Sequence, residues 1–445
     1  MSIWTTAQSM ADKTPADRNR YVDFLRALSI FFVIIGHWLI ATAVFDESTG
    51  ALVPVDVLSA IPATQWLTWL FQVMPIFFIV GGYSNAISIE SAKAKNQRYG
   101  EWLSGRLHRL LTPLLLLVVV WALLSVIMYI VGAQPETITF ASKAALVPTW
   151  FLAIYTMIVL LAPASYAFWR RYGWASLAVF IGLAIVMDVL FFQFDIKWPS
   201  WSNYFWVWLA VHHLGFAWFD GKLGKPVVML AIAIAAIGIL GYIIFNGPYP
   251  LAMAGSPDKA VSNSLPPKVS LIILGIAQFG LLHAIQKPMQ KLLAGRTAWS
   301  LTVLVNSMIM TVYLWHMTIL ILAFGASYLS DGFGMNLVAG SEGWWLSRPL
   351  WIGVLAAFLI PLALGLSFLE RLPKPDGPTL STFRLVFGAC LSGLGIALAS
   401  LKGFNGDPTS IFAWSAIILL IAGCLTCGIR LLPKSQNSSI QAAES

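Results

Sequence analysis

Three ionisable side chains stand out in the first long apolar stretch, RYVDFLRALSIFFVIIGHWLI, because a segment that only anchors a protein has no use for them. They are Asp23, Arg26 and His37. A charged side chain at the centre of a membrane helix costs roughly 2.5–3.5 kcal/mol on the insertion scale. On an α-helix all three share one face, and His37 lies about 16 Å from Arg26 along the axis. One stripe of this helix therefore carries an acid and a base near one membrane surface and an imidazole deep in the membrane.

Both features also have a purely structural interpretation. Asp23 and Arg26 could form a surface pair at the level of the lipid headgroups, with the arginine extended towards water. His37 could be a buried neutral histidine that only binds a neighbouring helix. Intramembrane ionisable residues usually face the bundle interior or a polar cavity, which favours the functional interpretation of the histidine.

Two further clusters are candidates for the same site. Arg106 and Arg109, in RLHRLLTP, lie three residues apart at the entry of the third apolar stretch, where two guanidinium groups can clamp phosphates. An orientation signal of the positive-inside type explains these arginines at least as well. His316, in YLWHMTILI, lies as far into its apolar stretch as His37 lies into the first. The two histidines are therefore expected at similar depth in a shared polar site, unless each is only a packing residue.

Composition places these clusters in a membrane protein. Of 445 residues, 58% are hydrophobic and only 10% are charged, against about 25% charged residues in soluble domains. The apolar runs are long and continuous, which indicates transmembrane helices rather than the alternating strands of a barrel. We therefore predict an all-α polytopic membrane protein with about twelve transmembrane helices. The predicted spans are 21–45, 66–89, 107–132, 148–168, 174–194, 200–219, 226–245, 269–286, 300–327, 348–369, 382–401 and 411–430.

The basic residues predict the orientation of these spans. Most of the 27 Lys and Arg residues fall in loops on the same side as the N-terminus, so both termini are predicted to be cytoplasmic. Because the basic residues are scattered between spans, nucleic-acid binding is not expected. The predicted organisation is a cytoplasmic tail (1–20), a transmembrane domain (21–370), a linker (371–381), two additional transmembrane helices (382–430) and a second cytoplasmic tail (431–445).

The remaining residue types suggest no second chemistry. Cys424 and Cys427 have the spacing of a redox or zinc motif, but they lie in an apolar stretch without a second pair and are interpreted as small packing residues. No metal site, disulfide framework or Gly-rich phosphate loop is expected. The many tryptophans near the predicted outer ends fit an interfacial aromatic belt, although indole rings also stack on sugars.

Several motifs together carry a resemblance. Arg26, ten intervening residues and His37 resemble the signature of integral-membrane acyltransferase family 3. The family's other motifs are matched in the same order by MPIFFIVGGY (Met74–Tyr83), RLHRLLTP (Arg106–Pro113), PTWFLAIY (Pro148–Tyr155) and YLWHMT around His316. The resemblance covers roughly residues 18–370, the expected core of ten helices, and leaves the last two spans unmatched.

The resemblance implies an O-acyltransferase. An acyl group, acetyl or another short acyl, would pass from cytoplasmic acyl-CoA to a hydroxyl of an extracytoplasmic carbohydrate, glycolipid or secondary metabolite. His37 would be the general base, Asp23 would hold Arg26, and His316 would bind the acceptor or stabilise the oxyanion. Arg106, Arg109 and Arg26 would bind the donor. Such an enzyme would lie in the bilayer of a plasma membrane, in a bacterium.

A different class of protein remains possible at this stage. Twelve spans with both termini inside are also the plan of a major facilitator carrier, and a lipid-linked sugar flippase needs no acyl-transfer chemistry. A carrier of that kind has a long central cytoplasmic loop and internal repeats. This chain has only a short segment after the sixth span, Asp220 to Lys225, and shows no repeat.

Overall fold

The computed structural model describes residues 3–15, 18–46, 48, 51–255, 261–367, 380–407 and 411–429, and they are largely helical. The all-α class predicted from composition is confirmed. The helices are α1 (Ile3–Asp12), α2 (Arg20–Ile40), α3 (Val57–Ala60), α4 (Thr68–Phe71), α5 (Met74–Ala94), α6 (Tyr99–Ile130), α7 (Pro135–Leu146), α8 (Thr149–Tyr172), α9 (Trp174–Gln193), α10 (Asn203–Phe219), α11 (Pro226–Phe245), α12 (Val269–Ala284), α13 (Gln286–Ala294), α14 (Arg296–Asn306), α15 (Ile309–Leu329), α16 (Glu342–Leu366), α17 (Thr382–Lys402) and α18 (Ile411–Thr426). Two strands, β1 (Ala41–Asp46) and β2 (Ala51–Asp56), and 3-10 turns at Pro62–Leu67 and Trp198–Ser202 complete the elements.

Every predicted span overlaps one of these helices. Within the described part of the chain, nine helical segments have the length and composition to cross a membrane. The count is ten if α12 and α13, which are bent by 56° relative to each other, form one broken span. The helices at the sixth and twelfth predicted spans are shorter, with 17 residues in α10 and 16 in α18. The total of twelve crossings and the side of each terminus stay predictions.

The first helix ends earlier than predicted. The span was expected to run to residue 45, but α2 ends at Ile40 and the chain turns into an antiparallel hairpin in which Ala41 pairs with Asp56. The β-branched residues of ATAVFD and ALVPVD favour a pleated strand over a helix. The hairpin is also fixed from outside, because the Phe45 amide donates to the Met335 carbonyl at 2.9 Å.

The ninth predicted span, 300–327, is two helices rather than one. The side chain of Asn306 donates to the carbonyls of Thr302 at 2.8 Å and Asp23 at 3.0 Å, and it ends α14 there. After this break α15 begins at Ile309, so His316 is the eighth residue of its helix and not the sixteenth. The sequence-based depth of His316 was counted from a helix start near residue 300, and this start is wrong.

Two further boundaries differ from the prediction. The third span begins at Tyr99 rather than 107, where the Glu101 carboxylate in the first turn accepts from the backbone amide of Arg98 at 3.3 Å. Arg106 and Arg109 therefore lie inside α6, in its second and third turns, rather than at its entry. The second span is preceded by short turns, and its continuous helix begins at Met74.

The chain divides into two compact units. The first comprises Met1–Ser91 and Leu161–Gly365, and the second comprises Ala92–Leu160 and Leu366–Ser445. In the first unit α2 packs against α14 and α15, while α9, α10, α11 and α12 form a neighbouring layer. The N-terminal tail contains α1, which packs on α14; the Asp12 carboxylate accepts from Arg296 at 2.8 Å.

A close crossing of α5 and α10 fixes the interior of the first unit. A Cβ on Gly215 would lie 2.9 Å from the Gly82 Cα and 2.6 Å from the Tyr83 amide nitrogen. A Cβ on Gly82 would meet the His212 carbonyl oxygen. Glycine at both positions lets the two backbones touch, as small residues do at membrane helix crossings.

In the second unit the two C-terminal helices form a tight hairpin that packs on α6 and α7. A Cβ on Gly388 would lie 2.7 Å from the Cys427 sulfur, and the Ser392 hydroxyl lies 3.9 Å from the Cys424 sulfur. Both cysteines are buried and free of disulfides, as expected for packing residues. The predicted linker 371–381 lies mostly outside the described residues, and the predicted tail 431–445 lies wholly outside them.

Candidate active site

Two histidines from different helices meet inside the first unit. Nδ1 of His37 on α2 lies 2.8 Å from Nε2 of His316 on α15. The rings are nearly parallel, with centroids 5.1 Å apart and an interplanar angle of 12°. His316 is fully buried, whereas His37 is partly exposed. The structure thus brings together the two histidines that the sequence placed in one site.

The hydrogen bonds of the pair determine which nitrogen carries each proton. Nδ1 of His316 lies 2.6 Å from the carbonyl oxygen of Tyr313, which can only accept, so this Nδ1 is protonated. In a neutral ring, Nε2 of His316 then accepts, and the donor is Nδ1–H of His37. Neutral His37 therefore has its free lone pair on Nε2. No carboxylate lies within 4.0 Å of either ring in the part of the chain that the structure describes, which agrees with neutral rings.

A second bond holds the two helices at this level. The indole nitrogen of Trp38 donates to the backbone carbonyl of His316 at 3.1 Å, and the Trp38 side chain is buried. Trp38 follows His37 directly, so two adjacent residues of α2 both bond to His316 of α15. This arrangement fixes the orientation of the His37 ring, which a base acting on a bound hydroxyl requires.

One carboxylate organises the other end of α2. Asp23 is nearly buried, with 7% of its side chain exposed, and accepts from two arginines. Nε of Arg18 donates to one oxygen at 2.6 Å, and Nη1 of Arg26 donates to the other at 3.2 Å. The hydrogen bond from Arg18 to Asp23 raises the pKa of Arg18 above its usual value, although partial burial opposes this. The cluster keeps a net positive charge of one.

Both arginines retain free donors. Nη2 of Arg26 donates to the Ser84 hydroxyl at 2.8 Å, which leaves its Nε without a partner among the described residues. Arg18 bonds Asp23 through Nε alone, and half of its side chain is exposed. Asp23 thus orients two guanidinium groups through one hydrogen bond each, and the remaining N–H groups of both arginines can bind an anion.

Arg106 and Arg109 belong to the second unit. Arg106 is half-buried, with its guanidinium carbon 5.6 Å from the centre of the Trp102 ring, and Arg109 is exposed. They lie on one face of α6 at positions i and i+3. Their place in a common site with His37 stays a prediction.

Sequence reasoning missed Arg18, Ser84 and the Tyr313 carbonyl. Arg18 precedes the first residue of α2, so the helical periodicity that connected Asp23 with Arg26 did not extend to it. Ser84 is an ordinary small polar residue after a glycine pair, and only the packing of α5 shows that it meets Arg26. A backbone carbonyl has no sequence signal. Both nitrogens of His316 are engaged within the protein, and the roles predicted for it, acceptor binding or oxyanion stabilisation, stay predictions.

Comparison with known proteins gives one match. A family model described as an acyltransferase domain, Acyl_transf_3, matches residues 19–369. No curated protein and no solved structure matches the chain significantly. The matched range includes the histidine pair, Asp23, Arg26 and both arginines of α6. It begins one residue after Arg18 and ends before α17.

Proposed function

The chain belongs to the Acyl_transf_3 family of membrane acyltransferases, and we propose that it is an O-acyltransferase that uses acyl-CoA. The acyl group is short, with acetyl the first choice. It passes from the cytoplasmic donor to a hydroxyl of an extracytoplasmic carbohydrate, glycolipid or secondary metabolite. The hydrogen-bonded relay from His37 through His316 to Tyr313 is the observation that carries the proposal, because it supplies an oriented proton acceptor inside a membrane helix pair.

The relay supports a direct transfer without a covalent enzyme intermediate. Nε2 of His37 takes the proton of the acceptor hydroxyl as that oxygen attacks the thioester carbonyl carbon. The tetrahedral intermediate then collapses, the carbon–sulfur bond breaks, and the His37 imidazolium returns the proton to the departing CoA thiolate. His316 accepts from Nδ1 of His37 throughout, which stabilises the charge that forms on the ring. General base catalysis of this kind contributes typically 10²–10⁴-fold.

The arginines suit the phosphates of the donor. Arg26 lies eleven residues before His37 on one continuous helix, which corresponds to about 16 Å. CoA places its phosphates and its thioester at opposite ends of a long, thin pantetheine arm, so an anion site and a base separated in this way match its shape. Arg18 and Arg26 are proposed to bind those phosphates. Phosphate binding by Arg106 and Arg109, which belong to the second unit, stays a separate prediction.

The direction of transfer also suggests a location. A donor made in the cytoplasm and an acceptor outside it require a membrane that separates the two, and Lys and Arg are concentrated in the loops on one predicted side. We therefore assign the protein to the plasma membrane, in a bacterial cell whose envelope glycolipids or secreted metabolites offer the hydroxyl.

Turnover of labelled acetyl-CoA tests the proposal. The full chain, purified in nanodiscs, is incubated with ¹⁴C-acetyl-CoA and an envelope extract, and both the released CoA thiol and the labelled product are measured. We expect labelled product from the wild type, a loss of about 10²-fold or more in kcat for His37→Ala, and little change in its KM. Equal turnover by His37→Ala would contradict the mechanism, and no CoA release by the wild type would contradict the donor.

The same assay tests the proposed donor site by comparing two arginine substitutions. Arg18→Ala removes a guanidinium that is not in the relay, so we expect KM for acetyl-CoA to rise about tenfold at nearly constant kcat. Arg171→Ala is the matched control, because Arg171 is an exposed arginine at the end of α8, and its one guanidinium contact among the described residues is with the neighbouring Tyr172. A similar rise in both variants would show a general charge effect rather than a site.

A further inference from the structure

A buried arginine near the start of α16 has no acidic partner. Arg348 is only 5% exposed. Its two hydrogen bonds, from Nε to the Trp344 carbonyl and from Nη2 to the Ser347 hydroxyl, are both 3.3 Å long. Among the described residues no carboxylate oxygen lies within 4.0 Å of its nitrogens. A guanidinium has five N–H donors, so most of its donor capacity is unused.

Aromatic rings hold this guanidinium in place. Its central carbon lies 4.4 Å from the centre of the Trp344 ring and 5.8 Å from that of Trp351. Trp344 is buried, and Trp351 stacks on Phe324 of α15. Cation–π contacts stabilise the charge in part, but they satisfy none of the N–H groups. The arginine is therefore oriented before any ligand arrives.

A second donor without an acceptor lies one turn away. The indole nitrogen of Trp351 is inaccessible to solvent and has no hydrogen-bond partner among the described residues. Trp351 follows Arg348 at i+3, so the two side chains share a face of α16. Leaving such donors buried and unpaired costs free energy, and a buried unpaired charge costs more. The missing partner must therefore accept hydrogen bonds and carry negative charge.

The same helix borders the turn of α2 that carries His37. Trp345 lines a small apolar pocket together with Gly36, Leu39 and Ile40, which lie within three residues of the histidine. Arg348 lies three residues further along α16. All of these residues belong to the first unit.

From these observations we propose that Arg348 and the Trp351 indole N–H bind an anionic oxygen group, a phosphate or carboxylate, of the acyl acceptor. The inference rests on the proposed function, which supplies the acceptor, and it narrows that acceptor to molecules with an acidic group. A bidentate guanidinium contact fixes position as well as charge, and it would hold the acceptor while its hydroxyl reaches His37. The phosphate of a bilayer lipid headgroup has the same chemistry and is the rival source.

Anion binding without any acyl donor tests the site. The full chain in nanodiscs of neutral phosphatidylcholine is titrated with inorganic phosphate against chloride at equal ionic strength, and the midpoint of thermal unfolding is followed. We expect a saturable rise for the wild type and an apparent Kd about tenfold or more weaker for Arg348→Gln. Trp351→Phe keeps an aromatic ring at this position and removes the indole N–H, so a several-fold weakening is expected even if Arg348→Gln folds poorly.

The controls distinguish a lipid phosphate from an acceptor phosphate, and they test the anion site separately from the acyl-transfer reaction. Lys402→Gln removes an exposed positive charge at the end of α17 and should leave phosphate binding unchanged. Equal phosphate responses in the wild type, Arg348→Gln and Trp351→Phe would overturn the site. Loss of the response in phosphatidylglycerol nanodiscs would assign the site to a lipid headgroup and overturn the acceptor. Because no acyl-CoA is present, these results are independent of whether the turnover assay succeeds.

Discussion

At the scale of single residues, the direction of one hydrogen bond decides the chemistry. His316 is protonated at Nδ1 because the Tyr313 carbonyl accepts there, and this leaves Nε2 of His316 to accept from His37. Without that partner, the His37 ring could carry its proton on either nitrogen and rotate. In the proposed mechanism His316 is the orienting residue and His37 the base, and of the two only His37 is partly exposed.

A substitution series at His316 tests the orienting role. His316→Leu cannot accept from His37, so we expect kcat to fall about 10²-fold or more, as general base catalysis is lost. His316→Gln offers a side-chain oxygen that can accept the same bond and should recover much of the loss. KM for acetyl-CoA should stay nearly constant in both variants, because the donor phosphates bind elsewhere.

His283→Leu is the matched control for this series, since His283 is a half-buried histidine of α12 outside the site. Wild-type kcat in His316→Leu would show that His37 needs no partner. Equal loss of kcat in the Leu and Gln variants would indicate that His316 acts through packing alone.

At the scale of elements, one asparagine and one pair of glycines determine where the helices lie. Asn306 ends α14 by bonding the carbonyls of Thr302 and Asp23, so α15 starts at Ile309 and presents His316 to α2. The glycine crossing of α5 and α10 has a similar effect near the Asp23 cluster. It fixes α5, and α5 carries the Ser84 hydroxyl that binds Arg26.

The glycine crossing gives a matched pair of substitutions. Gly215→Ala places a Cβ 2.9 Å from the Gly82 Cα, and overpacking of this kind costs typically 1–3 kcal/mol of stability. We expect the thermal midpoint in detergent to fall by several degrees and KM for acetyl-CoA to rise as Ser84 moves. Gly238→Ala in α11 has no atom within 4 Å of its new Cβ and should unfold at the wild-type midpoint or slightly above it. A similar fall in both variants would mean that helix propensity, not the crossing, is being measured.

At the scale of the whole molecule, the family match and the compact units divide the chain differently. The matched range ends at residue 369, while the second unit joins Ala92–Leu160 to the C-terminal hairpin. The hairpin packs on α6, which carries Arg106 and Arg109. The two helices beyond the family domain therefore support an element of that domain, within their own unit.

Topology is the prediction that belongs to this scale. In a chain with Cys390, Cys424 and Cys427 replaced by serine, single cysteines are introduced at Lys95 and Asn336, which are both exposed. The charge distribution predicts that an impermeant maleimide labels Asn336→Cys on intact cells and Lys95→Cys only after permeabilisation. The cysteine-free chain is the control for background labelling. Labelling of both sites from the same side would remove the cytoplasmic donor from the mechanism.

Composition and helical periodicity were enough to predict the fold class and to place three candidate site residues on one face of a helix. Long apolar runs cannot satisfy their backbone in lipid except as helices, so their existence and approximate position follow from composition. Helical periodicity alone placed Asp23, Arg26 and His37 on one face, because all three belong to a single continuous helix.

The ends of the helices and the contacts between them could be read only from the tertiary structure. The end of α2 at Ile40 depends on strand pairing across a turn, and the break at Asn306 depends on a carbonyl of another helix. The proton positions of the histidine pair depend on the Tyr313 backbone, and the missing acid at Arg348 is visible only once its neighbours are known. Contacts between segments distant in sequence are chosen by the packing of the whole unit, and no local pattern contains them.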